Sequence, residues 1–184
     1  MYNYVGDLCS IYHFIINNYI ENKKAAIDAT LGNGHDTDFL SKNFNKVYAF
    51  DIQKSAIDNY KEKNKDNVIL INDSHSKFRN YINEEVQCIV YNLGFLPGGD
   101  KSITTSASTS LESIKTGLEL LSPGAYMFIA CYVGHDEGKR EYSCINEYLN
   151  NLPTKKYGVM EQSFINRHNN PPKLFIIEKN NWLN

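Results

Sequence analysis

The sequence predicts an α/β protein built on a mainly parallel, seven-stranded β-sheet with helices on both faces. The apolar runs are continuous rather than alternating, which is typical of strands that are covered on both faces. Segments with helical spacing separate most of these runs. The last two runs, 158–164 and 174–178, have no helix between them, so they predict a C-terminal hairpin with one strand antiparallel to the rest.

The elements follow one another along the chain in a regular order. Apolar residues recur at three- and four-residue spacing between Leu8 and Ile20, which predicts a core-packing helix over about residues 7–21 with Asp7 as its N-cap. The predicted strands before the hairpin are residues 25–28, 46–51, 68–71, 86–91 and 126–133. Helical patterns follow the first four of these strands, and another, residues 142–152, precedes the hairpin.

Composition and charge set limits on the class of protein. The chain has 184 residues, of which 42% are hydrophobic and 22% charged, as in an ordinary globular protein. Without repeats or a linker, residues 1–184 are expected to form one domain. The net charge of −2 argues against a strongly basic binder of long nucleic acid, but it leaves room for a local basic patch.

The cysteines and the apolar runs bear on location. No C-x-x-C pair occurs, so we expect reduced thiols, no metal site and a cytoplasmic protein; the cysteines are Cys9, Cys88, Cys131 and Cys144. No apolar run approaches the roughly 20 residues that cross a bilayer. The early Asp7 and the absence of a basic lead-in argue against a signal peptide.

The first strand leads into a candidate cofactor loop. It ends at Asp28, and the chain then passes through a turn that contains Gly32 and Gly34 before a helix begins. A strand, a glycine turn and a helix in succession bring the backbone close to a small ligand. Asp51 ends the second strand, where a nucleoside cofactor's ribose hydroxyls are usually held.

Two cofactors compete for this loop. A dinucleotide fingerprint has a third glycine, and Thr37 stands in that place here, which disfavours an NAD-dependent dehydrogenase. Polar residues at later strand ends, Asp73 and Asn92, favour S-adenosylmethionine instead, although any one acid could be a helix cap or turn residue. The predicted cofactor-binding residues are Asp28, Thr30, Gly32, Asn33, Gly34, Asp36, Asp51, Ile52, Gln53, Asp73, Ser74, His75, Asn92 and Leu93.

Four strings carry a resemblance to a known family: DATLGNGHDT at 28–37, YNLGFLPGGDK at 91–101, VGHxxGxxE at 133–141 and NNPPxL at 169–174. With the intervening chain, from about residue 7 to residue 179, they resemble the bacterial proteins labelled "putative rRNA methylases". Members of that group are understood as transfer-RNA methyltransferases that act on 5-aminomethyl-2-thiouridine at the wobble position. The resemblance implies a Rossmann-like class I methyltransferase fold, S-adenosylmethionine as cofactor and the anticodon stem-loop of tRNA as partner.

The chemistry implied by the resemblance needs a neutral amine aligned with the methyl group of a sulfonium. The amide oxygen of Asn92 can accept a hydrogen bond from the amine and aim its lone pair, although a strand-end turn residue is the alternative. His135 and Glu141 follow the fifth strand and are the other catalytic candidates, with His135 as either a general base or a structural histidine.

Two loops supply candidate substrate contacts. Gly98, Asp100 and Lys101 form one group, in which Lys101 could meet a phosphate and Asp100 an ammonium; a plain surface turn is the alternative. Arg167, Asn169 and Asn170 precede two prolines that should keep the preceding backbone extended. Further candidates for RNA contact are Phe95, Tyr132, Lys139, Arg140, Lys155 and Lys156.

The leading functional prediction is therefore a methyltransferase acting on a wobble aminomethyl-thiouridine of tRNA. Methylation of ribosomal RNA or of a small amine is the alternative within the same fold. A non-catalytic module that binds the cofactor as a scaffold is a third reading, which the intact Gly32, Gly34, Asp51 and Asn92 disfavour. The sequence leaves the oligomeric state open, although a homodimer would suit a domain with little basic surface.

Overall fold

The computed structural model describes residues 2, 4–94 and 104–181. Within these ranges the protein contains one seven-stranded sheet with the strand order β3-β2-β1-β4-β5-β7-β6. The strands are β1 (Ala25–Asp28), β2 (Lys46–Phe50), β3 (Val68–Ile71), β4 (Val86–Leu93), β5 (Leu121–Cys131), β6 (Tyr157–Ser163) and β7 (Lys173–Lys179). The helices are α1 (Leu8–Tyr19), α2 (His35–Asn43), α3 (Lys54–Lys61), a 3₁₀ helix (His75–Asn80), α4 (Ala107–Leu120) and α5 (Asp136–Asn150).

The predicted fold class is confirmed. Strands β1 to β5 pair in parallel, whereas β7 is antiparallel to both of its neighbours, β5 and β6. The closing hairpin therefore reverses only β7 relative to the other strands. Since neighbouring parallel strands run in register, the carboxyl ends of β1 to β5 meet at one edge of the sheet.

Apolar side chains cover both faces of this sheet. On one face, α4, α5 and the 3₁₀ helix pack against strand residues such as Ile27 and Ile89, and on the other, α1 and α2 pack against residues such as Val90 and Phe128. The amphipathic pattern of α1 is confirmed, because its apolar stripe is buried. Its N-cap is also as predicted, since Asp7 accepts a hydrogen bond of 2.8 Å from the backbone N–H of Ser10.

Two strands differ from the predicted bounds. β4 continues as far as Leu93, so Asn92 lies within the strand, where it pairs with Ala130 of β5, rather than after it. β5 runs from Leu121 to Cys131 rather than over the predicted residues 126–133, so Pro123 and Gly124 lie within it. The ladder is irregular at this point, and such an irregularity accommodates proline because the residue has no N–H to donate.

Among the helices of the described ranges, none is both long enough and apolar enough to cross a bilayer.

Candidate cofactor and acceptor site

A cavity of about 660 Å³ opens at the edge where the parallel strands end. This volume lies within the range of about 300–1,000 Å³ that is usual for small-molecule sites. Its wall contains most of the predicted cofactor residues together with several that the sequence did not single out. The polar and glycine members of the wall are Cys9, Thr30, Gly32, Asn33, Gly34, His35, Asp36, Asp51, Gln53, Asp73, Ser74, His75, Asn92, Gly94, Thr104, Thr105, Ser106, Thr109 and Tyr132.

The loop between β1 and α2 depends on glycine at Gly34. Its φ of +77° is in the left-handed region, which L side chains rarely adopt. A Cβ at this position would lie 2.2 Å from Cδ2 of Tyr60, a distance that no real contact allows. Gly34 is also the N-cap residue of α2, so the tight turn and the start of the helix coincide at the cavity wall.

Two of the predicted acids lie in the wall with their carboxylates fixed. Asp51 accepts one hydrogen bond from the backbone N–H of Gly32 at 2.9 Å and another from that of Gln53 at 2.8 Å, one on each oxygen. Asp73 accepts from Lys77 Nζ at 2.8 Å and from the hydroxyl of Tyr81 at 2.8 Å. The hydrogen bond from Lys77 holds the pKa of Asp73 below its ordinary value.

Asp28 is a correction to the predicted cofactor set. It is fully buried behind the wall, where it accepts from the hydroxyl of Thr37 at 2.6 Å and from the backbone N–H of Thr30 at 3.1 Å. Burial, together with the nearby Asp36, raises its pKa to about 7. Thr30 in turn accepts from the backbone N–H of Asn92 at 2.7 Å, so Asp28 supports the wall rather than contacting a ligand.

Leu93 is a second correction, because its side chain is fully buried in the core on the α4 face of the sheet. Successive residues of a strand point to opposite faces, and the neighbouring Asn92 takes the position in the cavity wall.

Three buried polar atoms of the wall have no hydrogen-bond partner among the described residues: His75 Nδ1, Asn92 Oδ1 and Thr104 Oγ1. Buried polar groups in proteins are nearly always paired, so unpaired atoms that share one cavity indicate a polar ligand. Burial lowers the pKa of His75 to about 4, so its imidazole is neutral at pH 7 and offers one donor and one acceptor.

Asn92 and Asp36 meet at one end of the cavity. The Asn92 amide donates from Nδ2 to Asp36 Oδ2 at 2.5 Å. The other oxygen of Asp36 lies 2.7 Å from the Tyr12 hydroxyl and 2.7 Å from His13 Nε2, both of α1. The first helix therefore reaches the functional site, which its apolar pattern did not reveal.

The two other predicted catalytic residues do not line the cavity. His135 is the N-cap of α5, and its Nδ1 accepts from the backbone N–H of Gly138 at 2.8 Å. Glu141 is only 2% exposed and accepts from the hydroxyls of Ser110 at 2.6 Å and Thr105 at 2.9 Å. Burial raises the pKa of Glu141. The Glu141 contacts join α5 to the start of α4, whereas the His135 contact stays within the first turn of α5. The structure therefore does not bring this pair to the cavity, as the catalytic prediction required.

The predicted substrate residues of the last loop also lie away from the cavity wall. The Arg167 guanidinium donates to the backbone oxygens of Val5 and Gly6 and stacks 3.5 Å from the centre of the Phe164 ring. Asn169 and Asn170 have φ values of +66° and +51°, so the extended backbone expected before Pro171 is wrong. Asparagine tolerates this left-handed conformation better than other residues with a side chain. Gly98, Asp100, Lys101 and Phe95 lie outside the described residues.

Several members of the site were missed from the sequence. Tyr12 and His13 were counted as part of an ordinary core helix, although adjacent polar rings on an apolar face were an available signal. The hydroxyl-rich run that opens α4 was another, and four of its residues line the cavity: Thr104, Thr105, Ser106 and Thr109. Tyr132, one of the candidate RNA contacts, does line the cavity and is 43% exposed.

The sheet order, the reversed β7 and a cavity at the carboxyl ends of the strands define a class I, S-adenosylmethionine-dependent methyltransferase. The comparisons with known proteins are specific about the group. The family model described as "Putative rRNA methylase" matches residues 47–178, and the chain belongs to this family.

Solved structures and a curated relative agree with this assignment. A "putative rRNA-methylase" from Clostridium thermocellum has a TM-score of 0.91 at 36% identity, with 95% of this chain and 98% of that chain covered. A "putative methyltransferase" from Streptococcus mutans, solved with S-adenosylhomocysteine, has a TM-score of 0.86 at 36% identity, with 93% and 97% covered. The tRNA (mnm5s2U34)-methyltransferase, chloroplastic, of Arabidopsis thaliana is 32% identical over 187 residues, covering 92% of this chain and 68% of the relative.

S-adenosylmethionine is therefore the cofactor, and it supplies a methyl group carried on a sulfonium. The residues present fit it, because the wall offers fixed carboxylates, close backbone and unpaired polar atoms within one cavity of suitable volume.

Proposed function

We propose that this methyltransferase methylates the aminomethyl nitrogen of 5-aminomethyl-2-thiouridine at the wobble position of tRNA. The observation that carries the proposal is the buried, unpaired amide oxygen of Asn92, which lies in the cavity wall next to the Asp36 carboxylate. An amide oxygen without a hydrogen-bond donor suits a substrate amine, whose N–H groups can donate to it. The Arabidopsis relative, named as a tRNA (mnm5s2U34)-methyltransferase, gives independent support.

The cofactor would occupy the part of the cavity between the ends of β1, β2 and β3. Each Asp51 oxygen receives one backbone N–H and keeps a further accepting position, which suits the two hydroxyls of a ribose. Ile52, 56% exposed in the wall, offers an apolar surface to the adenine, and the run from Asp73 to His75 offers polar atoms to its edge. The turn from Gly32 to Asp36 would lie against the methionyl end, and Asn33 and Gln53 complete this wall.

The acceptor would enter from the side of β4 and β5. Tyr132 lines the cavity there with 43% of its surface exposed, and a partly exposed aromatic ring can stack on a nucleobase that has left its stem. Asn92 would then lie where an aminomethyl group extending from such a base meets the methyl donor. We therefore assign stacking to Tyr132 and alignment of the amine to Asn92.

The chemistry requires alignment more than acid–base catalysis. A sulfonium is already a good leaving group, and holding two reactants in line replaces an encounter that is entropically costly in solution. The aminomethyl nitrogen must be neutral to attack, because an ammonium has no lone pair. Accepting an N–H at Asn92 Oδ1 would orient that lone pair towards the methyl carbon.

The experiment that tests the proposal is mass spectrometry of nucleosides from tRNA incubated with the enzyme and S-adenosylmethionine that carries a deuterated methyl group. The tRNA should come from cells that accumulate the aminomethyl intermediate. We expect the label in 5-methylaminomethyl-2-thiouridine, and none in tRNA that lacks the aminomethyl group. Label confined to ribosomal RNA offered in the same reaction would contradict the proposal.

A further inference from the structure

The side chain of Asp36 makes three hydrogen bonds, which connect the cavity wall to α1 and β4. It lies in the first turn of α2, is 7% exposed, and joins three elements of the fold. Oδ1 lies 2.7 Å from the Tyr12 hydroxyl and 2.7 Å from His13 Nε2, while Oδ2 lies 2.5 Å from Asn92 Nδ2. The side-chain oxygens of Asp36 accept these hydrogen bonds, and the Tyr12 hydroxyl, the His13 ring N–H and the Asn92 NH₂ group donate them.

This contact determines which way the Asn92 amide faces. The two ends of an asparagine amide have nearly the same shape, and their hydrogen bonds decide the orientation. The NH₂ group must face the Asp36 carboxylate, since an amide oxygen in its place would meet another acceptor. The amide oxygen is thereby turned away from Asp36, and it is the atom that lacks a partner among the described residues.

The carboxylate itself is held from α1. Tyr12 is fully buried and stacks on Phe128 with ring centres 5.6 Å apart, while His13 stacks on Phe39 at 3.7 Å. Rings packed in this way have little freedom to move, so the two donors fix the position of Asp36 Oδ1. The Oδ2 atom is then left to bind the Asn92 amide.

We propose that Asp36 is a positioning residue for methyl transfer, which holds the NH₂ of Asn92 and so turns the Asn92 oxygen towards the amine. Tyr12 and His13 keep Asp36 in place. The inference rests on the proposed function in one respect, that the acceptor is an amine; the orientation of the amide is independent of the substrate.

An exchange of polarity tests this directly. In the Asp36→Asn variant only one accepting oxygen remains at position 36. If that oxygen stays with Tyr12 and His13, the new NH₂ faces Asn92, whose amide must turn its own oxygen inward and present NH₂ to the cavity. A misplaced reacting group can cost about 10²-fold, so we expect kcat to fall by about that factor. Because position 36 also borders the methionyl end, affinity for S-adenosylhomocysteine should fall too, but by less than about tenfold.

The double variant Asp36→Asn with Asn92→Asp restores the pattern in reverse. The amide at 36 keeps its oxygen on Tyr12 and His13 and donates to the carboxylate at 92, which again presents an oxygen to the cavity. We expect the kcat of this double variant to be at least about tenfold higher than that of Asp36→Asn. A double variant that folds and binds S-adenosylhomocysteine but remains as slow as the single variant would overturn the inference.

Asp38→Asn is the matched control. Asp38 lies on the same helix and also accepts from a tyrosine hydroxyl, that of Tyr60 at 2.9 Å, but it has no contact with Asn92. We expect its kcat to stay within about twofold of the parent. Equal losses in Asp36→Asn and Asp38→Asn would mean a general effect on α2 and would contradict the positioning role.

A second readout does not depend on the acceptor. The side-chain NH₂ signals of Asn92, assigned in ¹⁵N spectra by their loss in Asn92→Asp, should contain one strongly downfield proton because of its hydrogen bond to Asp36. In Asp36→Asn that proton should return to the ordinary range. If the chemical shift of this proton is in the ordinary range in the parent, the inference fails even when tRNA is methylated. If the proton shifts as expected while tRNA stays unlabelled, only the proposed function fails.

Discussion

At the scale of single residues, Asn92 carries the chemical part of the proposal. Its oxygen is buried in the cavity wall without a partner, while its NH₂ is held by Asp36. Removing the amide leaves the cofactor wall at Asp51 and Asp73 intact, because those acids depend on other contacts.

Asn92→Ala should therefore lose turnover but not cofactor. We expect kcat to fall by roughly 10²-fold, since alignment of the amine is lost, with the affinity for S-adenosylhomocysteine within about threefold of the parent. Single-turnover methylation and calorimetric titration measure the two quantities. Unchanged turnover would remove Asn92 from its assigned role.

Gly34 allows a sharp test of backbone geometry in the cofactor loop. Gly34→Ala places a Cβ against Tyr60 and forces an alanine to a φ of +77°. Strain of this kind costs about 1–3 kcal/mol, and we expect a loss of that size in the free energy of unfolding measured by urea denaturation.

Gly158→Ala is the control for that substitution. A Cβ at Gly158 meets no atom within 4 Å, so its effect should stay within about 0.5 kcal/mol. Equal effects of the two substitutions would show that the loop can relax around a side chain at Gly34.

His75 makes stability depend on pH in a predictable direction. Burial depresses its pKa from 6.5 to about 4, so between these values the unfolded chain binds a proton that the folded protein does not. Stability is therefore lost as pH falls below about 6.5. Between pH 7 and pH 5 the parent should lose about 2 kcal/mol more than His75→Gln. Parallel curves of unfolding free energy against pH for the two proteins would exclude a buried, neutral His75.

The sequence was informative about residues whose role depends on their place at the end of a strand. Gly32, Gly34, Asp51, Asp73 and Asn92 all line one cavity, and their contact with the cofactor stays a prediction. Asp28 also ends a strand, but its carboxylate turns inward to Thr37, and no one-dimensional pattern distinguishes the two orientations. Tyr12 and His13 were missed because contacts between distant elements depend on packing, which spacing along the chain does not encode.

At the scale of elements, α5 acts on the site through α4. Glu141 accepts hydrogen bonds from the hydroxyls of Ser110 and Thr105. Glu137 accepts one from the backbone N–H of Ala107 at 3.2 Å. These contacts position the start of α4, whose preceding residues and first turn form one wall of the cavity. Within the string VGHxxGxxE, His135 caps α5 and Glu141 joins α5 to α4.

Glu141→Ala should therefore destabilise the protein and affect the cavity wall. The buried Ser110 hydroxyl and the half-buried Thr105 hydroxyl lose their acceptor. A buried unsatisfied group costs about 1–3 kcal/mol and a half-buried one less, so we expect a loss of roughly 2–4 kcal/mol in the free energy of unfolding. Glu141→Gln keeps an accepting oxygen and should cost roughly half as much. Glu147→Ala, an exposed position on the same helix, should stay within about 0.5 kcal/mol. A loss equal to that of Glu147→Ala would contradict the supporting role of Glu141.

Most elements were predictable because their patterns are strong and local. Each continuous apolar run predicted a strand that the structure contains. The absence of a helical pattern before the last run predicted a hairpin, and β7 is indeed antiparallel to its neighbours. The bounds of β4 and β5 were less accurate, because pairing between the strands extends β4 through Asn92 and holds Pro123 at an irregular place in the ladder. The prediction of an extended backbone before Pro171 was wrong for a local reason, because asparagine tolerates a positive φ.

At the scale of the whole molecule, the cofactor should stabilise the fold. A ligand that binds only the folded state adds about 2.7 kcal/mol at a hundred times its dissociation constant. For a chain of this length, that corresponds to a rise of about 5–10 °C in the unfolding midpoint with S-adenosylhomocysteine. NAD at the same concentration should shift the midpoint by less than about 1 °C. A shift with NAD alone would contradict the choice of cofactor.

The most direct measurement is a crystal structure of the protein with S-adenosylhomocysteine. We expect the ribose hydroxyls within hydrogen-bond distance of Asp51, the adenine edge near Asp73 and Ser74, and the sulfur facing the open side of Asn92. A ligand bound away from the carboxyl ends of β1 to β4, or one whose sulfur is turned away from Asn92, would contradict the proposed arrangement of donor and acceptor.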